Sequence, residues 1–228
     1  IREGRVKKYK TALKWMWRFY FLGIVLVIAI FTKLSYELPS FEYLENPRSR
    51  IASNVYAADG VLLGKYYIEN RTPVEYDSLS PHLINALIAT EDARYLNHSG
   101  IDAEALARVI VKTLLLGRRN QGGGSTISQQ LAKLLVGRPN TKDKGTVEKT
   151  WLLVSTKLKE WLTAVRLERS YTTQEIIALY FNEFDFLYGA NGIKSAAEVY
   201  FGKLPINLNI VESAMLVRML KNPSSFNP

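Results

Sequence analysis

The sequence predicts a mostly α-helical fold with a small β-hairpin and an N-terminal transmembrane helix. Three observations support this fold class: an uncharged apolar run at residues 19–31, two β-rich runs on either side of Asp59-Gly60, and repeated helix start signals from Ser80 onward. The chain has 228 residues and is 47% hydrophobic, which is enough for one sizeable core. We therefore expect one main helical domain behind a membrane anchor.

The composition excludes several classes of protein. The chain has no cysteine, and its two histidines are His82 and His98, so a disulfide framework and a Cys/His zinc site are both ruled out. A metal ion would need carboxylate ligands, which suit magnesium or manganese. The net charge is +9, but residues beyond position 18 include 23 basic and 20 acidic side chains. That excess is too weak for a nucleic-acid-binding surface.

The N-terminal region has the features of an uncleaved signal anchor. Residues 1–14 are predicted to form a basic cytoplasmic tail and residues 15–34 a transmembrane helix, with Trp15, Trp17 and Tyr20 at the membrane interface. The basic flank then places the rest of the chain outside the plasma membrane. The alternatives are a buried core helix and a cleaved signal peptide, although no A-x-A-like site follows the apolar run.

Beyond the anchor, residues 35–79 are predicted to form a polar tether and the β-hairpin, and residues 80–228 the helical domain. One long helix is expected at about residues 148–169, and another is expected to stop at Gly117. The expected helix starts are Ser80-Pro81, Asp102, and two capping boxes, Thr126 with Gln129 and Thr172 with Glu175.

Glu91 stands out because it lies on an apolar helix face. Its neighbours on that stripe are Ile84, Leu87, Ile88 and Tyr95. A carboxylate on such a face needs either a partner or the neutral protonated form, and the second of these suits a general acid or base. The alternative is an ordinary ion pair with Arg94 or Arg108 at the helix end.

Two further segments contain candidate binding residues. "QGGGSTISQQLAK", residues 121–133, lacks the lysine pattern of a P-loop, so it is either a flexible turn before a capped helix or an anion site completed by Lys133. Ten basic and two acidic residues between positions 112 and 159 favour the anion site. In "STKLKEWLTAVRLERSYT", Glu160 lies beside Lys157 and Lys159; the alternative there is a solvated charged helix face.

Taken in order, these segments resemble the peptidoglycan glycosyltransferase domain of class A penicillin-binding proteins and monofunctional cell-wall glycosyltransferases. "EDARYLNHSGID" is similar to the family's first motif, "GGSTISQQLAK" to its second, "TKLKE" to its third, and "EIIALYFN" with "GANGIKSAAEVYFGK" to its fourth and the following stretch. Tyr95 replaces the usual Phe, Thr156 stands where the third motif has Arg, and residues 138–150 form a longer segment than usual.

The resemblance implies a lysozyme-like helical domain that polymerises lipid II into β-1,4-linked glycan with inversion and release of undecaprenyl pyrophosphate. Glu91 would be the general base, and Glu160 would assist the leaving group directly or through Mg²⁺ or Mn²⁺. The implied substrate-binding residues are Asp92, Arg94, Tyr95, His98, Ser125, Thr126, Gln129, Gln130, Lys133, Lys157, Lys159, Glu168 and Asn182.

Two other functions remain open at this point: a lysozyme-like enzyme that cleaves glycan, and a non-catalytic module that binds lipid II. The expected partners are lipid II, the growing glycan strand, the bilayer of the bacterial plasma membrane and other cell-wall synthesis proteins, with no nucleic acid. Family members often continue into a transpeptidase domain, whose S-x-x-K and K-T-G motifs do not occur in these 228 residues. The sequence leaves open whether such a domain follows.

Overall fold

The fold is described from a computed structural model that covers residues 2–38, 53–66, 71–116 and 124–226. The chain divides into two compact units, Ile1–Leu38 and Pro39–Pro228. The predicted stop at Gly117 lies outside the described residues, as do most of the glycines of the 121–133 segment.

The first unit is a single helix, α1, at Arg2–Tyr36. Its stretch Tyr9–Tyr36 is long and apolar enough to cross a membrane, judged by length and composition. Few of its side chains are buried, which argues against a core helix. The predicted basic tail is also helical and continues into the apolar stretch without a break.

The second unit contains the predicted β-hairpin. Strand β1, Ser53–Tyr56, pairs antiparallel with β2, Leu62–Tyr66. The Ala57 N–H donates to the Val61 carbonyl at 2.8 Å and closes the turn. Gly60 adopts a φ of +84° there, a conformation that glycine reaches without steric cost. The hairpin prediction is therefore confirmed.

Most of the other described residues of the second unit are helical, as the sequence predicts. Short 3-10 turns lie at Tyr76–Ser78, Tyr95–Asn97 and Pro205–Asn207. The helices are α2 (Pro81–Glu91), α3 (Ala103–Leu116), α4 (Ile127–Val136), α5 (Thr146–Ser170), α6 (Thr173–Glu183), α7 (Ile193–Phe201) and α8 (Ile210–Lys221).

The helix starts follow the predicted caps with one correction. The Ser80 hydroxyl accepts from the His82 N–H at 3.3 Å, the Asp102 carboxylate caps α3, and Thr172 with Glu175 forms a reciprocal capping box. At α4 only half of the predicted box forms. The Thr126 hydroxyl accepts from the backbone N–H of Gln129 at 3.2 Å, but the buried Gln129 Oε1 has no partner among the described residues.

The core lies between α4, α6 and the helices that flank them. Helix α4 packs on α5 and α6, while α2 packs on α8. The largest fully buried side chains include Tyr180 and Phe181 of α6 and Leu131 of α4. This packing brings the C-terminal end of α2, where Glu91 lies, beside α4 and α8.

Candidate active site

A cleft of about 780 Å³ opens where α2, α4, α5 and α8 meet. Both predicted catalytic carboxylates line it, so the packing brings together groups 69 positions apart in the sequence. Seven of the predicted site residues line this cleft: Glu91, Ser125, Gln129, Gln130, Lys133, Lys157 and Glu160.

Glu91 is held by a neutral hydrogen-bonded relay. Gln130 Nε2 donates to Glu91 Oε2 at 2.8 Å, and the Tyr180 hydroxyl donates to Gln130 Oε1 at 2.9 Å. Burial, with the Glu91 carboxylate nearby, raises the pKa of Tyr180, so its hydroxyl keeps its proton at neutral pH. Arg94 and Arg108 pair with other carboxylates, so the alternative ion pair at the end of α2 is wrong.

Glu160 lies in a different electrostatic environment. It is only 6% exposed, and Lys157 Nζ donates to its Oε2 at 2.6 Å. The same ammonium lies 3.5 Å from the Ser125 hydroxyl at the start of α4. The solvated-face interpretation of this segment is therefore wrong for Glu160, because α5 turns that carboxylate inward.

The cleft has more cations than carboxylates. Its lining residues include Lys133, Lys157, Arg218 and Lys221, against Glu91 and Glu160. Two cations are therefore left in excess even if both carboxylates are ionised. A cleft with this charge favours an anionic ligand.

The first motif forms a buried polar network beside the cleft. His98 Nε2 lies 3.0 Å from Asp92 Oδ2, and the Ile127 N–H at the start of α4 approaches the same oxygen at 3.4 Å. The Thr126 hydroxyl donates to the Gly100 carbonyl at 2.6 Å. The network thus joins the loop after α2 to the first turn of α4.

Arg94 contributes to the same region through Asp102. Its guanidinium donates to Asp102 Oδ2 at 2.6 Å and also pairs with Glu104. The Ala105 N–H and this guanidinium together lower the pKa of Asp102, although burial opposes the shift. Arg94 lines a smaller cavity of about 120 Å³, next to Glu91 and Ser125.

Within the part of the chain that is described, Asp92, His98 and Asp102 place ligand-type atoms within 4.8 Å of one another. These atoms already have protein partners: Asp92 interacts with His98 and the Ile127 N–H, and Asp102 with Arg94 and the Ala105 N–H. A guanidinium 2.6 Å from a ligand oxygen also repels a divalent cation. The cluster therefore fits a hydrogen-bonded brace better than a metal site.

Other predicted site residues lie outside the cleft. Tyr95 is buried, its pKa is raised by that burial, and Glu168 accepts from the Ser128 hydroxyl. The amide of Asn182 donates to the Val74 carbonyl at 2.8 Å and accepts from the Val74 N–H at 3.0 Å. Lys159 is on α5 but not among the residues that line the cleft.

Four polar or aromatic side chains of the cleft were not predicted from the sequence, namely Thr90, Trp161, Arg218 and Lys221. Arg218 stacks on the Phe226 ring, with its Cζ 4.2 Å from the ring centroid. A signal did exist, since Arg218 and Lys221 are three residues apart near the end of a helix and share one face. Their position in the same cleft as Glu91 depends on the packing of α8 against α2.

The residues that form this fold and its cleft match a known protein family. The family model for Transglycosylase matches residues 59–228. The chain therefore belongs to the transglycosylase family.

The chain is also similar to several curated penicillin-binding proteins. It is 36% identical to penicillin-binding protein 1A of Escherichia coli (strain K12) over 207 residues, which cover 91% of this chain and 23% of that protein. Identity to penicillin-binding protein 1A of Aquifex aeolicus (strain VF5) is 38%, covering 91% and 28% of the two chains. Penicillin-binding protein 1F of Bacillus subtilis (strain 168) is 33% identical, with coverage of 91% and 27%. The chain thus spans about a quarter of the length of these relatives.

Proposed function

We propose that this chain is a peptidoglycan glycosyltransferase, an inverting hexosyltransferase that polymerises lipid II into β-1,4-linked glycan and releases undecaprenyl pyrophosphate. The observation that carries the proposal is the pairing of an oriented carboxylate, Glu91, with an excess of cations in one cleft. Family membership and the similarity to penicillin-binding proteins 1A and 1F support it.

In this mechanism Glu91 is the general base. It removes the proton from the acceptor sugar's 4-hydroxyl while that oxygen attacks the anomeric carbon of the donor from the opposite face to the leaving group. The C1–O bond to the pyrophosphate breaks as the new glycosidic bond forms, which inverts the anomeric centre. Gln130 leaves one Glu91 oxygen hydrogen-bonded and the other available for this proton.

The opposite side of the cleft stabilises the departing pyrophosphate. Lys157, the Ser125 hydroxyl and the start of α4 supply a cation and hydrogen-bond donors, and Lys133 lines the same cleft. Glu160 holds the Lys157 ammonium at 2.6 Å and would assist the leaving group directly through that cation, or would bind Mg²⁺ or Mn²⁺ in place of the ammonium. Glu168 and Asn182 stay predicted as residues that shape the pocket or contact the sugar, and Lys159 as a cation that stabilises the pyrophosphate.

The proposal includes a location and partners. The apolar helix α1 would anchor the chain in the bacterial plasma membrane, with the basic N-terminus in the cytoplasm and the catalytic unit outside. Lipid II and the growing glycan strand would reach the cleft from that side, and other cell-wall synthesis proteins are expected partners. The predicted boundaries are residues 1–14 for the cytoplasmic tail, 15–34 for the transmembrane helix, 35–79 for the tether and hairpin, and 80–228 for the helical domain.

The test is turnover of lipid II by the full chain and by Glu91→Gln, with and without Mg²⁺ or Mn²⁺. Glu91→Gln should abolish glycan synthesis and keep the helical circular dichroism spectrum, because Gln is close in size to Glu. Glu75→Gln, an exposed carboxylate outside the cleft, is the matched control and should remain active. Normal polymerisation by Glu91→Gln would refute the assignment of the base.

Two further measurements complete the test. Glu160→Gln should slow turnover, and the dependence of the remaining rate on the divalent cation should change if Glu160 binds one. Incubation with finished glycan strands should leave their length unchanged. Cleavage of glycan releases no pyrophosphate, so a cleaving enzyme would not need the cations that line this cleft. Shortened strands would favour the lysozyme-like alternative, and binding of lipid II without turnover would favour the non-catalytic one.

A further inference from the structure

Trp161 is an aromatic side chain of the cleft whose position the core does not explain. It lines the cleft and is half-buried. In the described part of the chain it belongs neither to the buried core nor to the partly buried apolar side chains packed against that core. Among the same residues, no other ring and no cation stacks on it. The face of the Trp161 ring is therefore available to a ligand.

The place of Trp161 on α5 links it to the proposed site of the leaving group. Lys157, Glu160 and Trp161 all line the cleft, and offsets of three and four residues from Lys157 place them on one helix face. Side chains four positions apart on a helix have Cβ atoms about 5–6 Å apart. A sugar attached directly to a pyrophosphate at Lys157 would therefore lie within reach of the Trp161 ring.

A buried hydrogen-bond acceptor lies in the same cleft. Gln129 lines the cleft and is only 3% exposed, and its Oε1 has no donor among the described residues. An unsatisfied buried acceptor is unfavourable unless water or a ligand supplies the donor. Helix α4, which carries Gln129, packs directly on α5, which carries Trp161. The cleft thus combines an aromatic face with an acceptor that needs an N–H or O–H donor.

These two features fit a sugar better than a lipid chain. A pyranose ring has an apolar face of C–H groups, which packs on an aromatic ring, and a polar rim of hydrogen-bonding groups. An isoprenoid chain in this place would leave Gln129 Oε1 without a donor and would lie beside the charged Lys157–Glu160 pair. Aromatic area together with a few polar groups is typical of a site for a small polar ligand.

We propose that Trp161 and Gln129 form a carbohydrate subsite for a 2-acetamido sugar. The sugar ring stacks on Trp161, and its acetamido N–H donates to Gln129 Oε1. The inference rests on the proposed function for the identity of this sugar, which is the one bonded to the departing pyrophosphate. The subsite would select a donor with an acetamido group at C2 over one with a hydroxyl group there.

Soluble sugar pyrophosphates test the subsite without turnover. The affinities of the full chain in detergent for UDP-N-acetylglucosamine, UDP-glucose and UDP are measured by isothermal titration calorimetry. UDP has no sugar, and the other two ligands differ in the acetamido or hydroxyl group at C2. Trp161→Leu and Gln129→Met remove the two proposed contacts. Trp151→Leu, on the same helix but not lining the cleft, and Gln174→Met, exposed on α6, are matched controls. Circular dichroism checks the fold of every variant.

The wild-type chain should bind UDP-N-acetylglucosamine about fivefold to tenfold more tightly than UDP-glucose, as expected for one added hydrogen bond. Gln129→Met should make these two affinities equal. Trp161→Leu should lower both to the affinity for UDP, and the two control variants should keep the wild-type values. Equal wild-type affinities for the two sugar ligands would overturn the proposal. So would an unchanged preference in Gln129→Met, or wild-type affinities in Trp161→Leu.

Two more measurements separate the subsite from a lipid contact and from the proposed function. Farnesyl pyrophosphate, an isoprenoid without a sugar, should bind equally to the wild-type chain and to Trp161→Leu. Weaker binding to the variant would assign the ring to the lipid chain and overturn the subsite. Lipid II turnover is measured on the same preparations. Sugar-dependent binding through Trp161 without polymerisation would refute the proposed function and leave the subsite intact, whereas polymerisation without sugar-dependent binding would refute the subsite alone.

Discussion

The neutral relay from Tyr180 through Gln130 to Glu91 gives the sharpest prediction. Gln130→Met keeps the volume of the side chain but removes both hydrogen bonds, 2.8 Å to Glu91 and 2.9 Å from the Tyr180 hydroxyl. Tyr180 is 1% exposed, so its hydroxyl loses its acceptor in a place that water does not reach. That loss should lower the free energy of unfolding by about 2 kcal/mol, or the melting temperature by about 6 °C.

The same substitution should slow catalysis because Glu91 loses the donor that orients it. A hydrogen bond to a carboxylate contributes about 1.5–3 kcal/mol, which predicts a fall in rate of about 10- to 100-fold. The double variant Gln130→Met/Tyr180→Phe separates the two effects. Removing the hydroxyl leaves no buried group without a partner, so most of the stability should return while the rate stays low.

The assays are thermal unfolding followed by circular dichroism in detergent and the initial rate of lipid II polymerisation. Two outcomes would refute the reasoning. A wild-type rate in Gln130→Met would show that Glu91 does not need its amide donor. Recovery of rate together with stability in the double variant would show that the relay acts on the fold alone.

Three other changes test separate parts of the structure. Lys133→Ala should reduce turnover at least about tenfold while helix content stays the same, because a cation in the cleft stabilises a departing pyrophosphate by more than about 1.4 kcal/mol. Normal turnover would instead indicate that residues 121–133 form a simple turn before a capped helix. Gly192→Ala should lower the free energy of unfolding, measured by thermal melting, by about 2 kcal/mol more than Gly189→Ala does. Both glycines have a positive φ, but only at Gly192 would the new Cβ lie 2.8 Å from the Asn182 carbonyl oxygen. Asp102→Asn should lower the melting temperature at pH 7 by about 3 °C, as expected for a loss of about 1 kcal/mol. Because the pKa of Asp102 is lowered on folding, its stabilisation is present above its ordinary value of about 4 and is lost as the pH falls through the folded value, so the difference from wild type should narrow in acid.

The local parts of this structure could be predicted from the sequence. The cap at Ser80 and the capping box at Thr172 depend on hydrogen bonds between residues two or three positions apart, and the hairpin turn depends on Asp59-Gly60. The periodicity of α2 also placed Glu91 on the stripe that faces the core. Each of these features is decided within a few residues, so no knowledge of the packing was needed.

The parts that depend on packing could not be predicted. The Tyr180 hydroxyl meets a side chain 50 positions earlier in the sequence, and Arg218 enters the cleft because α8 packs on α2. Asn182 was placed in the site by the resemblance, yet its amide bonds to Val74 outside the cleft. A sequence pattern identifies a polar residue as unusual, but the neighbouring helices decide which group it contacts.

In the proposed mechanism, the different partners of the two carboxylates let one cleft use them for opposite tasks. Glu91 has a neutral amide as its donor, and no cation lies within ion-pair distance of it in the described part of the chain. No ion pair therefore holds this carboxylate, and it stays available to an approaching hydroxyl proton. The charge of Glu160 is already compensated by Lys157. The Lys157 ammonium and the Ser125 hydroxyl would therefore face the leaving group. Exchanging the two environments would place the cation beside the proposed base and leave the pyrophosphate facing a carboxylate without an ion-pair partner. In the proposed mechanism, the direction of transfer across the cleft therefore follows from the partner that each glutamate has.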